Sequence, residues 1–460
     1  MPGAHRVPKR TADGIFHVTG RQDQGAPDTI FALSSGALPA AIGVIRISGP
    51  RAVEGVAALV GSLPEVRQAR LRRIVDPESG ELLDEGLVVW FPTGRSETGE
   101  DLVELHCHGS KAAIRAVEEA LARREGLRPA QPGEFTRRAF LNGKTDLARI
   151  EGLADLIHAE TAPQRRAAMA MMGGALSRRI ADWSQRLGRI AARVEAVLDF
   201  SDEGDIDETV LGRGIGAEMR EIATEIATDL ARPSAERLKE GVRVVIAGPP
   251  NAGKSTLLNA LVGRDAAIVS PIAGTTRDVI EVPVALGGTA FLLADTAGLH
   301  DANHDAIEVI GMARAQQMLE AADIVLWLGQ AEEAPLVPGT LIPIRAKSDL
   351  EGAPSDSGPC ALAGLAVSAV TWEGLDTLIE TLRRHAADLL PAPGDYALSA
   401  RQKAVMTRAQ QALVEGAGLK DEILIAEQLR TALAALDEIT GRATTEAVLD
   451  ELFSGFCIGK

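Results

Sequence analysis

The stretch Val242-Arg-Val-Val-Ile-Ala247, followed by Gly248-Pro-Pro-Asn-Ala-Gly253-Lys254-Ser255, decides the fold of the middle of this chain. A nearly all-apolar run reads as a buried strand, and Thr256–Val262 directly after the loop reads as a helix. Strand, Gly-rich loop and helix together are the context that a phosphate-binding loop requires. Backbone N–H groups of the loop and the helix N-terminus would meet phosphates. Lys254 would reach the β and γ phosphates as a catalytic cation, and the Ser255 hydroxyl would ligate Mg²⁺.

Outward from that loop, Ala290–Ala294, Ile324–Leu328 and Leu341–Ala346 are further apolar runs alternating with helical segments. The alternation over 241–388 predicts a doubly wound, mostly parallel sheet. Nucleotide motifs follow in order. Asp295-Thr296-Ala297-Gly298 ends a strand, with its carboxylate near the metal shell and the Gly298 N–H toward the γ-phosphate. Gly274-Thr275-Thr276 supplies hydroxyls for a metal-sensing switch. Lys347-Ser348-Asp349 places a carboxylate where it can accept from guanine N1–H and the exocyclic amine. Ser368-Ala369 stands about twenty residues later for a second base-contacting loop. Five elements in this order predict a GTP-hydrolysing domain.

Two departures carry expectations. The guanine motif usually begins with Asn, and here Ala346 stands there; nucleotide binding is expected to be weaker, with guanine preference carried by Asp349. Leu299 follows Asp-Thr-Ala-Gly where many GTPases place a Gln that orients the attacking water. Glu308 or a bound cation is expected to do that work.

Beside this insert the texture changes twice. From 28 to 142, short apolar runs bounded by Gly and Pro, such as Ala41–Ile47 and Gly86–Phe91, alternate with helical segments at 51–60 and 110–124, which predicts a small α+β domain. Residues 143–240 and 389–460 are Ala-, Arg- and Glu-rich with apolar residues at helical spacing, exemplified by Ile190, Val194, Val197 and Leu198. They are expected to pack as one helical bundle split by the insert. Residues 1–27 are polar, carry no apolar core, and are expected to be a disordered extension. The acidic run Asp199, Asp202, Glu203, Asp205 and Asp207 lacks the offsets of a calcium loop and reads as a solvated turn.

Composition narrows the classes. The chain has 460 residues, which sets a prior of about three domains. Hydrophobic residues make up 46%, enough for several cores. The net charge of −16 excludes a surface that is basic all over, as a nucleic-acid clamp would need. Aromatics are only 3%, with Tyr396 the single tyrosine, too few for recognition of single-stranded RNA by stacking. No apolar stretch of about 18 residues occurs, so no membrane-spanning helix is expected. Cys107, Cys360 and Cys457 are far apart and read as free thiols in a reducing cytoplasm. His106 and His108 flank Cys107 at strand spacing and read as structural. The charge is uneven: 241–388 holds 9 basic and 18 acidic residues, whereas 111–150 holds 9 basic and 5 acidic. That basic segment is the expected place for any direct RNA contact.

Three further runs carry a resemblance. Gly43-Val-Ile-Arg46-Ile-Ser-Gly-Pro, Thr98-Gly-Glu-Asp-Leu-Val-Glu104-Leu-His-Cys-His-Gly109 and Pro132-Gly-Glu-Phe-Thr-Arg-Arg-Ala-Phe-Leu-Asn-Gly-Lys144 look like the tRNA modification GTPase MnmE (TrmE) family, and so does the ending Phe456-Cys457-Ile-Gly-Lys460. The match runs from Asp28 to Lys460. It implies an N-terminal folate-binding and dimerisation domain (28–142), a discontinuous helical domain (143–240 and 389–460) and an inserted Ras-like G domain (241–388). It also implies a cytoplasmic homodimer working with an FAD- and NADH-using partner, MnmG. Together they would add a carboxymethylaminomethyl or aminomethyl group to carbon 5 of a tRNA wobble uridine, drawing on a 5-formyl- or methylene-tetrahydrofolate. The weighed alternative is a ribosome-assembly or RNA-binding regulatory GTPase without modifying activity.

Residue by residue, the resemblance implies folate contacts at Arg46, Glu104, Lys144 and Lys460. It implies K⁺ held by Asn251 with loop groups of Ser270, Ile272 and Thr275, and Mg²⁺ held by Ser255 and Thr276. Ser270 replaces the family's usual Thr, a change that a backbone carbonyl ligand tolerates. Glu308-Val-Ile-Gly311 matches the catalytic Glu. The GTP set then comprises Asn251, Ala252, Gly253, Lys254, Ser255, Thr256, Ser270, Pro271, Ile272, Ala273, Gly274, Thr275, Thr276, Asp295, Thr296, Ala297, Gly298, Ala346, Lys347, Ser348, Asp349, Ser368 and Ala369. Cys457 is a candidate for tRNA chemistry.

Overall fold

A computed structural model describes residues 28–200, 214–265, 281–295, 315–349, 364–392, 394–442 and 446–459. The chain divides into two compact units, Met1–Ile150 with Asp437–Lys460 and Glu151–Leu436. The expected N-terminal extension, most of the acidic run and Cys360 lie outside the described residues.

In the first unit, β1 (Thr29–Leu33), β2 (Ile42–Ser48), β3 (Arg70–Val75), β4 (Leu82–Phe91), β5 (Leu102–His108) and β6 (Leu127–Pro129) form one sheet in the order β3-β4-β5-β2-β1-β6. All pairings are antiparallel except β1 with β6. Strand alternation sends Ile45 and Ile47 of β2, and Val103 and Leu105 of β5, into a core with α1 (Ala52–Val60) and α2 (Lys111–Ala122). The intervening Val44, Arg46, Glu104 and His106 are therefore only half-buried on the other face. Ser110 caps α2 by accepting from the Ala113 N–H, and Ile114, Val117 and Leu121 line its buried side. The Gly86–Phe91 run begins four residues earlier, at Leu82. Gly86 does not start the strand; it lets two backbones approach, since a Cβ there would stand 2.4 Å from the His106 carbonyl oxygen. Beyond the sheet come α3 (Glu134–Leu141) and α4 (Leu147–Ile157).

In the second unit, helices α5 (Ala162–Met172), α6 (Ala175–Phe200), α7 (Ile215–Leu230) and α8 (Ala235–Glu240) precede a second six-stranded sheet. Its strands are β7 (Val242–Ala247), β8 (Glu281–Leu286), β9 (Thr289–Asp295), β10 (Ile324–Trp327), β11 (Thr340–Ala346) and β12 (Leu365–Val367), in the order β12-β11-β10-β7-β9-β8. Five strands run parallel, as expected, with α9 (Lys254–Asp265) and α10 (Leu375–Leu389) contributing to the core. The antiparallel edge strand β8 has no counterpart in the sequence reading. Its hairpin is made by Gly287 and Gly288, at φ 54° and 80°, the pair of positive angles a two-residue type I′ turn demands.

After the sheet, the chain returns through α11 (Ala400–Gly416), α12 (Glu422–Thr440) and α13 (Glu446–Ser454). α7 and α11, from opposite sides of the insert, approach closely: Arg220 donates to the Ala417 carbonyl at 3.2 Å. Where the chain enters and leaves the insert, the fully buried Asp229 accepts from Tyr396 Oη (2.8 Å), Arg179 Nε (3.2 Å) and Arg232 Nε (2.9 Å). Burial first, and then the Asp229 contact, push the Tyr396 phenol up. Arg232 also covers the Tyr396 ring and pairs with Asp395 at 2.8 Å. A lone buried carboxylate would cost several kcal/mol; this one has three donors.

Candidate functional site

The phosphate-type loop leaves the C-terminal end of β7 and reaches α9 at Lys254. Asn251 adopts a left-handed φ of 60° and Gly253 one of 99°, so the loop turns tightly enough to aim N–H groups inward. Lys254 is buried and its Nζ donates to the carbonyls of Gly248 (3.0 Å) and Pro249 (2.9 Å), which fixes the cation across the loop. Ser255 Oγ donates to Asp295 Oδ2 at 2.5 Å, where Asp295 ends β9 on the neighbouring strand. A hydroxyl and a carboxylate in contact beside an anion-binding loop form a hard oxygen donor set that fits Mg²⁺.

The base side of the site lies beyond β10, at the carboxyl ends of β11 and β12. Gly253, Thr256, Leu257, Ala346, Lys347, Asp349, Val367, Ala369 and Val370 line a pocket of about 220 Å³. Lys347, at φ 59°, stretches back so that its Nζ donates to the Asn251 carbonyl at 2.8 Å. Ala346 has no amide to brace the phosphate loop, and Lys347 supplies a brace from the next position. Ser368 is buried, and its Oγ accepts from the N–H groups of Val370 (3.3 Å) and Thr371 (3.0 Å), fixing the loop that presents Ala369. The structure thus brings together Asn251–Thr256, Asp295, Ala346–Asp349, Ser368 and Ala369. Ser270–Thr276, Thr296–Gly298, Leu299 and Glu308 lie outside the described residues.

A second constellation sits on the half-buried face of the first sheet. Arg46 and Glu104 are direct cross-strand neighbours, and Arg46 Nε donates to Glu104 Oε1 at 3.0 Å. Glu104 Oε2 also contacts His106 Nε2 at 3.1 Å, while Arg46 meets Glu97 at 3.1 Å. Glu97 belongs to the β4–β5 loop, and Lys144 reaches that same loop, donating to the Gly94 carbonyl at 2.6 Å. Asn142 donates to the Thr98 carbonyl at 2.8 Å. The loop therefore ties three of the four resemblance-derived folate residues together; Lys460 lies outside the described residues. The C-terminal segment joins the same unit through a bridge between Pro132 and Ile458. Cys457 is exposed.

A half-buried charge network supports the loop. Arg138 contacts Asp28 (2.7 Å), Glu100 (3.2 Å) and Glu134 (3.1 Å), and Arg128 pairs with Glu134 at 2.6 Å and with Asp28. Ser48 Oγ links Glu100 (2.9 Å) to Thr98 (2.7 Å). Burial acts to raise the Glu134 pKa, but hydrogen bonds from Arg128, the Gln131 N–H and Arg138 outweigh it and hold the carboxyl below its ordinary range. His108 pairs with Asp84 at 2.7 Å, a contact that raises the imidazole pKa. Burial, with the Asp84 charge second, pushes the Cys107 thiol up to about 12, so it is no nucleophile. Among the described residues no three His, Cys, Asp or Glu side chains gather as a metal site.

Two family models match this chain: "GTP-binding protein TrmE N-terminus" over residues 29–144 and "MnmE helical domain" over residues 147–457. The chain belongs to the tRNA modification GTPase MnmE family. It is 54% identical to the tRNA modification GTPase MnmE of Erythrobacter litoralis over 94% of its own length and 100% of that protein. It is also 54% identical to that of Rhizorhabdus wittichii (95% and 97% covered) and 50% identical to that of Novosphingobium aromaticivorans (94% and 100%). Among solved structures, the G domain of the T. maritima FeoB iron transporter is 24% identical over 32% of this chain and 98% of that one, at a TM-score of 0.22, too low to carry an argument.

As a member of the MnmE family the chain is a GTP hydrolase. Some side chains that organise its two sites escaped the sequence reading. Glu97, His106 and the Lys347 brace are defined by register and by loops distant in sequence. His106 lies within the Thr98–Gly109 run and reads there as structural, whereas Glu97 stands one residue before it. No helix among the described residues is long and apolar enough to cross a membrane.

Proposed function

We propose that this chain hydrolyses GTP at the β7 loop to drive wobble-uridine modification of tRNA in the cytoplasm, as a homodimer with an FAD-dependent MnmG-like partner that uses NADH. The group added is carboxymethylaminomethyl or aminomethyl at carbon 5, and its one-carbon unit comes from a 5-formyl- or methylene-tetrahydrofolate. The observation that carries this reading is the coexistence, in one chain, of the braced guanine pocket and the Arg46–Glu104–Lys144 constellation within the region matching the TrmE N-terminus.

In the nucleotide site, Lys254 holds the phosphates and Asp349 reads the guanine edge. Mg²⁺ would be held by Ser255 and Thr276 beside Asp295, and would supply charge compensation to the phosphates. K⁺ would be held by Asn251 with Ser270, Ile272 and Thr275. Glu308 orients the attacking water in place of the Gln that Leu299 replaces, with the Gly298 N–H at the γ-phosphate. In the other site, cationic Arg46, Lys144 and Lys460 suit the folate glutamate, and Glu104 accepts from pterin N–H groups. The domain limits proposed for this machine are 28–142, 143–240 with 389–460, and 241–388, with Cys457 available for chemistry at the tRNA.

The deciding experiment is mass spectrometry of wobble nucleosides from a deletion strain. Loss of the modified nucleoside, restored by the wild-type chain and not by Lys254→Ala, is expected. An unchanged profile on deletion refutes the reading.

A further inference from the structure

The basic segment 111–150 has little charge to spare. Arg115, Arg123, Arg128, Arg137, Arg138 and Arg149 are each within ion-pair distance of a carboxylate. Their charge is neutralised locally, which leaves the segment only Lys111, Arg124 and Lys144 without a carboxylate at ion-pair distance among the described residues, and Lys144 is held by the Gly94 carbonyl.

The opposite edge of the same sheet differs. Arg67, Arg70, Arg72, Arg73 and Arg95 lie on edge strand β3, just before it, or in the β4–β5 loop, and none has a carboxylate at ion-pair distance among the described residues. Neutral groups hold several of these guanidiniums in place. Arg67 lies 5.9 Å from the Phe91 ring centroid and donates to the Arg95 carbonyl at 3.4 Å. Arg72 donates to the carbonyls of Ser62 and Leu71, both at 3.2 Å, and Arg70 to Gln68 Oε1 at 3.1 Å. All but the half-buried Arg72 are exposed. Of the carboxylates around this edge, Glu65 is engaged with Gln68, Glu97 with Arg46 and Asp84 with His108, and Glu85 is the cross-strand neighbour of Arg73. Five guanidiniums, none at ion-pair distance from a carboxylate among the described residues, leave a positive edge on a chain whose net charge is −16.

We propose that this β3 edge is a landing surface for the phosphate backbone of RNA. The guanidinium fork matches phosphate oxygens bidentately. Alternate residues along a strand are about 6.6 Å apart, so Arg70 and Arg72 line one face of the edge and Arg73 the other, a rim rather than a pocket, suited to a chain of phosphates. The outer side of an edge strand also offers N–H groups that phosphates can use. Phe91 lies under Arg67 and is not available for base stacking, so the contact is independent of sequence. This inference rests on the reading that tRNA is the substrate, and specifies where it first binds.

The test uses the full-length protein and an unmodified tRNA transcript, with affinity followed by fluorescence anisotropy across a salt series. R70E/R73E should weaken binding tenfold or more and make the log–log salt slope shallower by about 1 for each arginine reversed. R70K/R73K should keep the wild-type slope. GTP hydrolysis without tRNA should stay unchanged in both, which also reports folding. A control reversal of equal charge on α2, K111E/R115E, should have a much smaller effect. Equal losses in the control and the β3 variant would overturn the surface, as would wild-type affinity in R70E/R73E. Unchanged RNA binding with an altered sedimentation coefficient would assign the edge to a protein contact and overturn the RNA assignment. These failures differ from failure of the function reading, which shows as an unchanged nucleoside profile on deletion.

Discussion

The parallel sheet and the antiparallel sheet of this chain place chemistry differently. In the parallel sheet the strands are buried on both faces, so functional groups collect in loops at the carboxyl ends: Gly248–Ser255 after β7, Asp295 at the end of β9, Lys347 after β11 and Ser368 after β12. In the antiparallel sheet one face is less covered, so Arg46 and Glu104 stand directly on the strands as cross-strand neighbours, with His106 two residues along β5. The first arrangement gathers groups from separate loops at one end of the sheet and ties them by Lys254 and Lys347. The second fixes an acid–base pair by register alone.

If this division holds, damage to one site should spare the other. The largest effect is expected for Lys254→Ala, which removes the cation across the phosphate loop. GTP turnover should fall about 10²–10³-fold, the range for deleting one preorganised electrostatic donor, with 5-formyl-tetrahydrofolate binding unchanged. A loss below tenfold in steady-state hydrolysis would break the assignment. Glu104→Gln should weaken binding of 5-formyl-tetrahydrofolate by roughly 10–150-fold, as expected for a hydrogen bond to a charged group, and leave GTP turnover alone. Equilibrium dialysis with both ligands would show any cross-effect.

Smaller effects probe what holds each region. Tyr396→Phe takes one donor from buried Asp229 and leaves two arginines, so urea unfolding should shift by about 1 kcal/mol. No shift would mean that the hydroxyl is replaced by water. Asp28 and Glu134 both have lowered pKa values in the folded state, through their hydrogen bonds to Arg128 and Arg138 against opposing burial. The stability they contribute is present above their ordinary values of 3.8 and 4.5 and is lost as pH falls through the lower folded values. A thermal midpoint that stays flat down that range would contradict the network. The pair of exposed His108 with the largely covered Asp84 works with the opposite sign for the imidazole. Its contribution is complete below pH 6.5 and disappears as pH rises through the raised value.

What the sequence made legible follows the same contrast. The β7 strand and its loop are contiguous, so spacing alone defined them, and short bounded runs such as 41–47 marked β2. Gly86 was misleading because a glycine that permits close backbone approach looks like one that ends a strand. The Gly287-Gly288 hairpin carries a turn signal, paired glycines between apolar runs, but the short edge strand it creates is hidden among the parallel runs. Contacts across large separations were out of reach. Tyr396 meets Asp229 across 167 residues, and Lys347 reaches Asn251 across 96. The Lys347 brace also changes the expectation for Ala346, because the loop keeps a tether without the missing amide.

The central claim is that the β7 loop and the pocket beside Asp349 bind guanine nucleotide. Calorimetric titration of the full-length chain with GTP and with ATP, both with Mg²⁺, tests it most directly. GTP should bind with ATP weaker by about 10²-fold or more, since adenine leaves the Asp349 carboxylate unpaired. Equal affinities, or tighter binding of ATP, would contradict it.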